Sequence, residues 1–89
     1  MRVYIASPYT HGNTELNVQR SIDAAEAVAQ RGHTVIAPLL SHFWHLRHPH
    51  PWKFWMAQCL DLLKCADVLL RLDGESVGAD IEVREAKAI

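Results

Sequence analysis

The sequence lacks an excess of charge of either sign: nine basic and ten acidic residues give a formal net charge of −1. A protein that follows the phosphates of a nucleic acid normally carries a basic face, so we expect no nucleic acid polymer as a partner. The chain also lacks an apolar run of membrane-spanning length, and Met1-Arg2-Val3 leads into a strand pattern rather than a signal peptide. These absences predict that no membrane is involved.

Cysteine is scarce as well, with only Cys59 and Cys65 in the chain. We predict both in one helix, where a separation of six residues places them on opposite faces, so an intrachain disulfide is not expected. A reduced, cytoplasmic protein is the simplest interpretation.

Repeats, linkers and low-complexity segments are absent, and 89 residues allow one small domain, residues 1–89. Three aliphatic runs, residues 2–6, 34–37 and 67–72, have the length and composition of strands. Helical patterns follow each run, which gives the order β-α-β-α-β-α. We therefore predict a small three-layer α/β fold of the Rossmann/flavodoxin-like kind, with a parallel sheet in the strand order 2-1-3.

The third strand of this arrangement has an exposed edge, because the chain stops on a helix. We expect a homo-oligomer, a dimer or larger, or else a natural minimal or truncated version of the fold.

The first helix begins with Asn13 or Thr14 as its N-cap and ends at Gly32, which suits a C′ position. Its predicted apolar stripe consists of Leu16, Ile22, Ala25, Val28 and Ala29. Pro51 can begin the second helix, residues 52–64. The polar, glycine-containing loop of residues 7–12 follows the first strand, and open α/β sheets bind ligands at that end.

The start of the last helix, which we expect to continue to Ile89, has the features of an anion site. Ser76 occupies an N-cap position, and the small residues Gly78 and Ala79 allow a ligand to approach unpaired backbone N–H groups. Glu82 lies one turn further along the same face, which is compatible with sugar-phosphate chemistry. The alternative is that Glu82 is a solvated helix glutamate.

Several segments occur together in a characteristic order. They are Tyr4-Ile5-Ala6-Ser7-Pro8-Tyr9-Thr10, then Gly32-His33-Thr34-Val35-Ile36-Ala37-Pro38, then Cys65-Ala66-Asp67-Val68, and finally Ser76-x-Gly78-Ala79-x-x-Glu82-x-x-x-Ala86. This set resembles the nucleoside 2-deoxyribosyltransferase-like superfamily, which includes the deoxyribonucleoside 5′-monophosphate N-glycosidases. The resemblance covers nearly the whole chain, and the ordered set is more specific for the superfamily than for one reaction.

The resemblance implies an enzyme that cleaves or transfers the N-glycosidic bond of a (deoxy)nucleoside or its 5′-monophosphate. Glu82 is then the nucleophile that attacks the anomeric carbon, and water or a second base resolves the glycosyl-enzyme. Tyr4 orients Glu82 through its phenol; otherwise it is a half-buried strand aromatic with a wet hydroxyl. Ser76 and the N–H groups around Gly78 and Ala79 match the contacts to the phosphate or 5′-hydroxyl.

The resemblance also implies a first ligand loop formed by Ser7, Pro8 and Tyr9, where Tyr9 stacks on the base or is simply a surface aromatic. The chain departs from the family at Cys59, where many members carry an aspartate that protonates or positions the leaving base. A thiol is a poor proton donor in comparison with a carboxylic acid. Asp61 lies roughly 200° away around the helix and cannot substitute. We expect a histidine to supply the proton, or an altered activity.

Residues 39–52 are predicted to form a loop rich in aromatic and imidazole side chains, with histidines at 42, 45, 48 and 50. Their spacing matches no defined zinc site, so we expect neither a metal nor another cofactor. We expect these histidines, with His42 as the candidate binding residue, to line the base pocket or to lie on the surface. An imidazole near the site can act as a general acid.

Two other interpretations remain open. One is a catalytically silent module that binds a nucleotide-derived ligand in the same pocket, which Cys59 favours. The other is a structural oligomerisation domain, which explains an exposed strand edge but not the residues of the loops.

Overall fold

A three-stranded parallel sheet in the order β2-β1-β3 forms the centre of the protein, in a computed structural model that describes residues 1–88. The central strand β1 (Arg2–Ala6) pairs with β2 (Thr34–Ile36) and with β3 (Val68–Arg71). The predicted α/β class, the parallel sheet and the 2-1-3 order are confirmed. The carboxyl ends of β1 and β3 therefore lie side by side, which brings the loops that follow them together.

Four α-helices surround the sheet: α1 (Thr14–Gln30), α2 (Ser41–Arg47), α3 (Trp52–Leu63) and α4 (Val77–Ala88). α1 packs on β1 and β2, whereas α4 packs on β1, β3 and α3. This gives the three layers of a small Rossmann/flavodoxin-like fold. The expected continuation of α4 to Ile89 lies outside the described residues.

The prediction of a loop over residues 39–52 is wrong in its first half. A 3₁₀ helix (Pro38–Leu40) runs directly into α2. No side chain caps α2, but its aromatic residues pack edge-to-face on α3: Trp44 and His45 both contact Trp55, with ring centroids 4.9 and 5.5 Å apart. Tertiary packing thus stabilises a helix too short to persist alone.

The buried face of α1 also differs from the predicted stripe. Leu16 and Ile22 are 52% and 40% exposed, whereas Val18 and Ser21 are buried. The helix begins as expected, because Asn13 Oδ1 accepts a hydrogen bond from the backbone N–H of Leu16 at 3.0 Å. The predicted stripe is rotated relative to the buried face, whose buried residues are Asn17, Val18 and Ser21.

The second helix ends earlier than predicted. α3 stops at Leu63, so Cys65 lies in the turn that follows rather than in the helix that contains Cys59. Both cysteines are free. Asp67, in the same connection, accepts a hydrogen bond from the backbone N–H of Arg2 at 2.7 Å and so fixes the start of β3 against β1.

The core lies beneath α3 and α4, where Tyr4, Ala6, Leu63 and Ala79 form a buried cluster. Tyr4 is the largest fully buried side chain, at 0% exposed. Strand residues alternate between faces, so Val3 and Ile5 point to the α1 side. The central strand is therefore buried on both faces, as its apolar sequence predicts.

Large apolar side chains also remain exposed outside this core, and two of these areas lie on neighbouring residues. One lies on the 3₁₀ helix and α2, with Leu40, Phe43 and Leu46; the other is β3, where Val68 and Leu70 are each 40% exposed. Within residues 1–88, no helix has the length and apolar character needed to cross a bilayer.

Candidate functional site

An open cavity of about 460 Å³ lies at the carboxyl ends of β1 and β3. Its volume falls in the range of about 300–1,000 Å³ that is common for small-molecule sites. Side chains from the first loop, α3 and the start of α4 form most of its wall. The predicted site residues in this wall are Ser7, Tyr9, Cys59, Ser76, Gly78, Ala79 and Glu82. Pro8, His42 and Tyr4 do not line it.

Glu82 is the carboxylate at the base of this cavity. It is only 7% exposed, and Tyr4, directly below it in β1, donates a hydrogen bond from its phenol to Glu82 Oε2. The alternative of a solvated glutamate is therefore wrong for Glu82, although it describes the exposed Glu85. The alternative of a half-buried Tyr4 with a wet hydroxyl is also wrong, because the ring is in the core and the hydroxyl has a protein partner.

Burial raises the pKa of Glu82 from 4.5 to about 7. The cause is desolvation, which disfavours the charged carboxylate. The Tyr4 phenol acts in the opposite direction, because a donor to the carboxylate favours the ionised form. Near neutral pH, Glu82 is thus divided between a protonated state and a state in which it can act as a nucleophile.

The start of α4 lies beside Glu82 and forms the polar end of the cavity. Ser76 caps the helix, because its Oγ accepts from the backbone N–H of Ala79 at 3.1 Å. The N–H groups of Val77 and Gly78 precede the first intrahelical bonds and point out of the helix start. A Cβ on Gly78 would lie 3.3 Å from Met56 Sδ, so glycine allows α3 to pack close to this end.

The loop of residues 7–12 is held in place from α1. Asn17 Nδ2 donates to the carbonyl oxygens of Tyr9 and His11, at 3.0 and 2.9 Å. Pro8 is buried beneath the loop that follows β3: a Cβ on Gly74 would lie 2.8 Å from Pro8 Cγ, and Gly74 has a φ of +121°. Pro8 therefore packs the two site loops together rather than contributing to the cavity wall.

His42 lies behind Tyr9 instead of in the cavity wall. It is 5% exposed, and its ring joins two side chains: Tyr9 Oη lies 2.6 Å from Nδ1, and Glu15 Oε1 lies 3.2 Å from Nε2. Burial, followed by the nearby charge of Glu15, raises the pKa of Tyr9 above its usual value of 10.0. Tyr9 is consequently a neutral phenol with a fixed orientation.

The imidazoles in the cavity wall are those of His45 and His50. His45 Nδ1 accepts hydrogen bonds from Trp55 Nε1 at 2.8 Å and from the backbone N–H of His50 at 3.3 Å. Because Nδ1 accepts both bonds, the ring carries its proton on Nε2 when it is neutral. Within residues 1–88, no group of three or more histidine, cysteine, aspartate or glutamate side chains is arranged to hold a metal ion.

Cys59 is a neutral thiol in the cavity wall. Burial raises its pKa to about 11, which excludes a thiolate nucleophile near neutral pH. A group at this position can contact a ligand, but it does not replace a carboxylic acid as a proton donor.

Sequence reasoning missed the role of Glu15 and most of the α3 wall. The contact of Glu15 with His42 spans 27 positions, so no local pattern points to it. The α3 residues of the wall are Trp52, Trp55, Met56 and Cys59. They follow a spacing of i, i+3, i+4 and i+7, which places them on one helical face.

Comparison with known proteins identifies one relationship. A family model described as "Domain of unknown function (DUF4406)" matches residues 1–89. No curated protein and no solved structure matches the sequence. Because the family model covers the whole chain, the protein belongs to the DUF4406 family.

Proposed function

We propose that this protein cleaves or transfers the N-glycosidic bond of a (deoxy)nucleoside or its 5′-monophosphate, with Glu82 as nucleophile. The observation that carries the proposal is the pair formed by Glu82 and Tyr4: a buried carboxylate in the cavity, held by a phenol from the core. A structural glutamate on a helix surface needs neither the burial nor the partner.

The hydrogen bond from Tyr4 holds one carboxylate oxygen, Oε2, and leaves the other oxygen for the substrate. Attack on the anomeric carbon forms a glycosyl ester as the bond to the base breaks, and the bonding electron pair leaves with the base. Water then hydrolyses the ester, or a second base displaces it. Splitting the displacement into two steps lowers each barrier in comparison with direct attack by water.

The two ends of the cavity differ in the way that such a substrate requires. The start of α4, with Ser76 and the free N–H groups near Gly78, offers donors for a 5′-phosphate or 5′-hydroxyl. Trp52 and Trp55 of α3 offer flat apolar surfaces for a base. Glu82 lines the same cavity from α4, and the proposal assigns the sugar to the space beside its carboxylate.

The substrate class thus consists of small molecules, and the chain needs no cofactor for this chemistry. We place the protein in the cytoplasm, because two free cysteines suit a reducing compartment. The small net charge gives no support for a nucleic acid polymer as ligand.

A second candidate is a catalytically silent module that binds the same kind of ligand. Cys59 favours it, because a thiol whose pKa burial raises to about 11 cannot act as the acid for the leaving base. This candidate predicts ligand binding without release of a base, unchanged by Glu82→Gln.

The test is incubation of the purified protein with a panel of (deoxy)nucleosides and their 5′-monophosphates, with and without a second free base. Chromatography follows base release, and mass spectrometry of the digested protein searches for a sugar on the peptide that contains Glu82. Glu82→Gln should abolish both signals. Glu85→Gln is the matched control, since Glu85 lies one turn further on the same helix but is exposed. Turnover that survives Glu82→Gln would refute the proposal.

A further inference from the structure

The contacts of Tyr9 form a continuous chain from the cavity to solvent. Tyr9 lines the cavity, its hydroxyl contacts His42 Nδ1 at 2.6 Å, and His42 Nε2 contacts Glu15 Oε1 at 3.2 Å. The side chain of His42 is 5% exposed and that of Glu15 is 75% exposed. A buried imidazole with a partner on each nitrogen thus connects a phenol in the cavity with a carboxylate on the surface.

We propose that Tyr9 is the group that protonates the leaving base, and that His42, held by Glu15, supplies its proton. The inference rests on the proposed glycosidic chemistry. It assigns the proton donor for the leaving base, which Cys59 cannot be, because its neutral thiol lines the cavity without being an effective acid.

The direction of the hydrogen bonds among Tyr9, His42 and Glu15 depends on the protonation state of His42 and decides where the phenolic proton points. When His42 is neutral, Nε2 donates to Glu15 and Nδ1 accepts from Tyr9, so the phenolic proton points away from the cavity. When His42 is protonated, Nδ1 donates to Tyr9 Oη, and the phenolic proton turns toward the cavity. Glu15 Oε1 accepts from His42 Nε2 in both states. When His42 is protonated, Tyr9 is a donor to a bound base.

Over one complete reaction, Tyr9 and His42 regain the protons that they give up. As the glycosidic bond breaks, the base nitrogen takes the proton of Tyr9, Tyr9 takes the Nδ1 proton, and His42 becomes neutral. In the second step, the attacking water, or the N–H of an incoming base, gives its proton to Tyr9 while Tyr9 returns its own to His42 Nδ1. The three residues therefore act first as an acid and then as a base, with no net change.

The pKa of Tyr9 is raised, so the phenol is protonated near neutral pH and gives up its proton only as His42 replaces it. The loop that carries Tyr9 is fixed by Asn17 at its backbone carbonyl, at 3.0 Å, which limits movement of the ring. Within residues 1–88, the titratable groups in contact with the His42 ring are Tyr9 and Glu15.

The first test separates proton donation from all other contributions by changing the leaving group. Tyr9→Phe removes only the hydroxyl. We expect it to lower kcat on a natural nucleoside substrate by about 10²–10⁴-fold, the usual contribution of a general acid. The same variant should keep its rate on the 4-nitrophenyl glycoside of the same sugar, because 4-nitrophenolate leaves without a proton. Equal loss on both substrates would overturn the assignment.

Two variants serve as comparisons in this assay. Tyr4→Phe should slow both substrates, because Tyr4 positions the nucleophile rather than the leaving group. Glu15→Gln changes an exposed side chain and should leave the fold intact. It should give a loss of about tenfold on the natural substrate alone, as expected for one charge-assisted contact. If Glu15→Gln leaves the ratio of the rates on the two substrates unchanged, Glu15 has no part in proton donation.

The second test does not depend on turnover. At a pH where the His42 imidazole is neutral, nitrogen NMR should show its proton on Nε2, and Tyr9→Phe should shift the Nδ1 signal because it removes the donor to that nitrogen. If the wild-type protein turns over no substrate, the glycosidic function fails and the acid role with it, whereas the spectra still test the contacts. Spectra of His42 that are identical in wild type and Tyr9→Phe would refute the contacts themselves.

Discussion

Glu82 is the residue on which two measurable properties depend, because its carboxyl group is buried and its pKa is raised to about 7. Only the ionised form can attack a sugar. We therefore expect kcat/KM to show a rising limb with pH near 7. Tyr4→Phe removes the donor that favours the ionised form, so the rising limb should move to higher pH. A pH–rate profile of both enzymes tests this, and a limb that moves to lower pH would contradict it.

The same burial predicts a pH dependence of stability. Below pH 4.5, Glu82 is protonated in both the folded and the unfolded state, and its contribution to stability is greatest. As the pH rises to about 7, the unfolded chain ionises first, so stability falls. The loss approaches about 3 kcal/mol, since one pKa unit corresponds to about 1.4 kcal/mol.

Urea denaturation between pH 4 and 8 measures this effect. In the wild type, the free energy of unfolding should fall between pH 4.5 and about 7. Glu82→Gln should not show this fall, whereas Glu85→Gln should show it as the wild type does. Parallel curves for Glu82→Gln and wild type would show that Glu82 ionises freely in the folded protein.

At the scale of secondary structure, the start of α4 combines a stabilising and a binding role in Ser76. Ser76→Ala removes a helix cap and should cost about 0.5–2 kcal/mol of stability. It should also weaken binding of a 5′-monophosphate more than binding of the free nucleoside. Asn13→Ala is the matched control, because it removes the cap of α1, which does not line the cavity. Calorimetry with both ligands compares the variants; equal weakening of the two ligands by Ser76→Ala would contradict the phosphate role.

The elements also show how far the sequence could be interpreted. The strands, the three longer helices and the caps at Asn13 and Ser76 depend on neighbouring residues, and local patterns predicted them. The buried face of α1 and the existence of α2 depend on contacts with the sheet and with Trp55, which no local pattern contains. The hydrogen-bonded contacts among Tyr9, His42 and Glu15 were missed for the same reason. His42 is 27 positions from Glu15 and 33 positions from Tyr9.

At the scale of the whole molecule, β3 is an edge strand with two apolar side chains in partial contact with solvent. We expect a homo-oligomer that uses this edge, because exposed edge strands pair readily with other strands. Leu70→Lys should shift the protein to a monomer in sedimentation velocity. Leu46→Lys is the control: Leu46 is also apolar and 64% exposed, but it lies on α2. A wild-type protein that sediments as a monomer would refute the expectation.

Tyr4 belongs to the core and to the candidate site at once, and this has a consequence for how the protein can diversify. Its ring is among the most buried in the molecule, and its hydroxyl holds Glu82. Selection on the reaction and selection on folding therefore act on one side chain, which leaves little freedom there. The wall formed by α2 and α3 contacts neither Glu82 nor Tyr4 through a hydrogen bond among the described residues. Under the proposed function, changes in that wall can alter the substrate, whereas a change of the Glu82 and Tyr4 pair also changes the core.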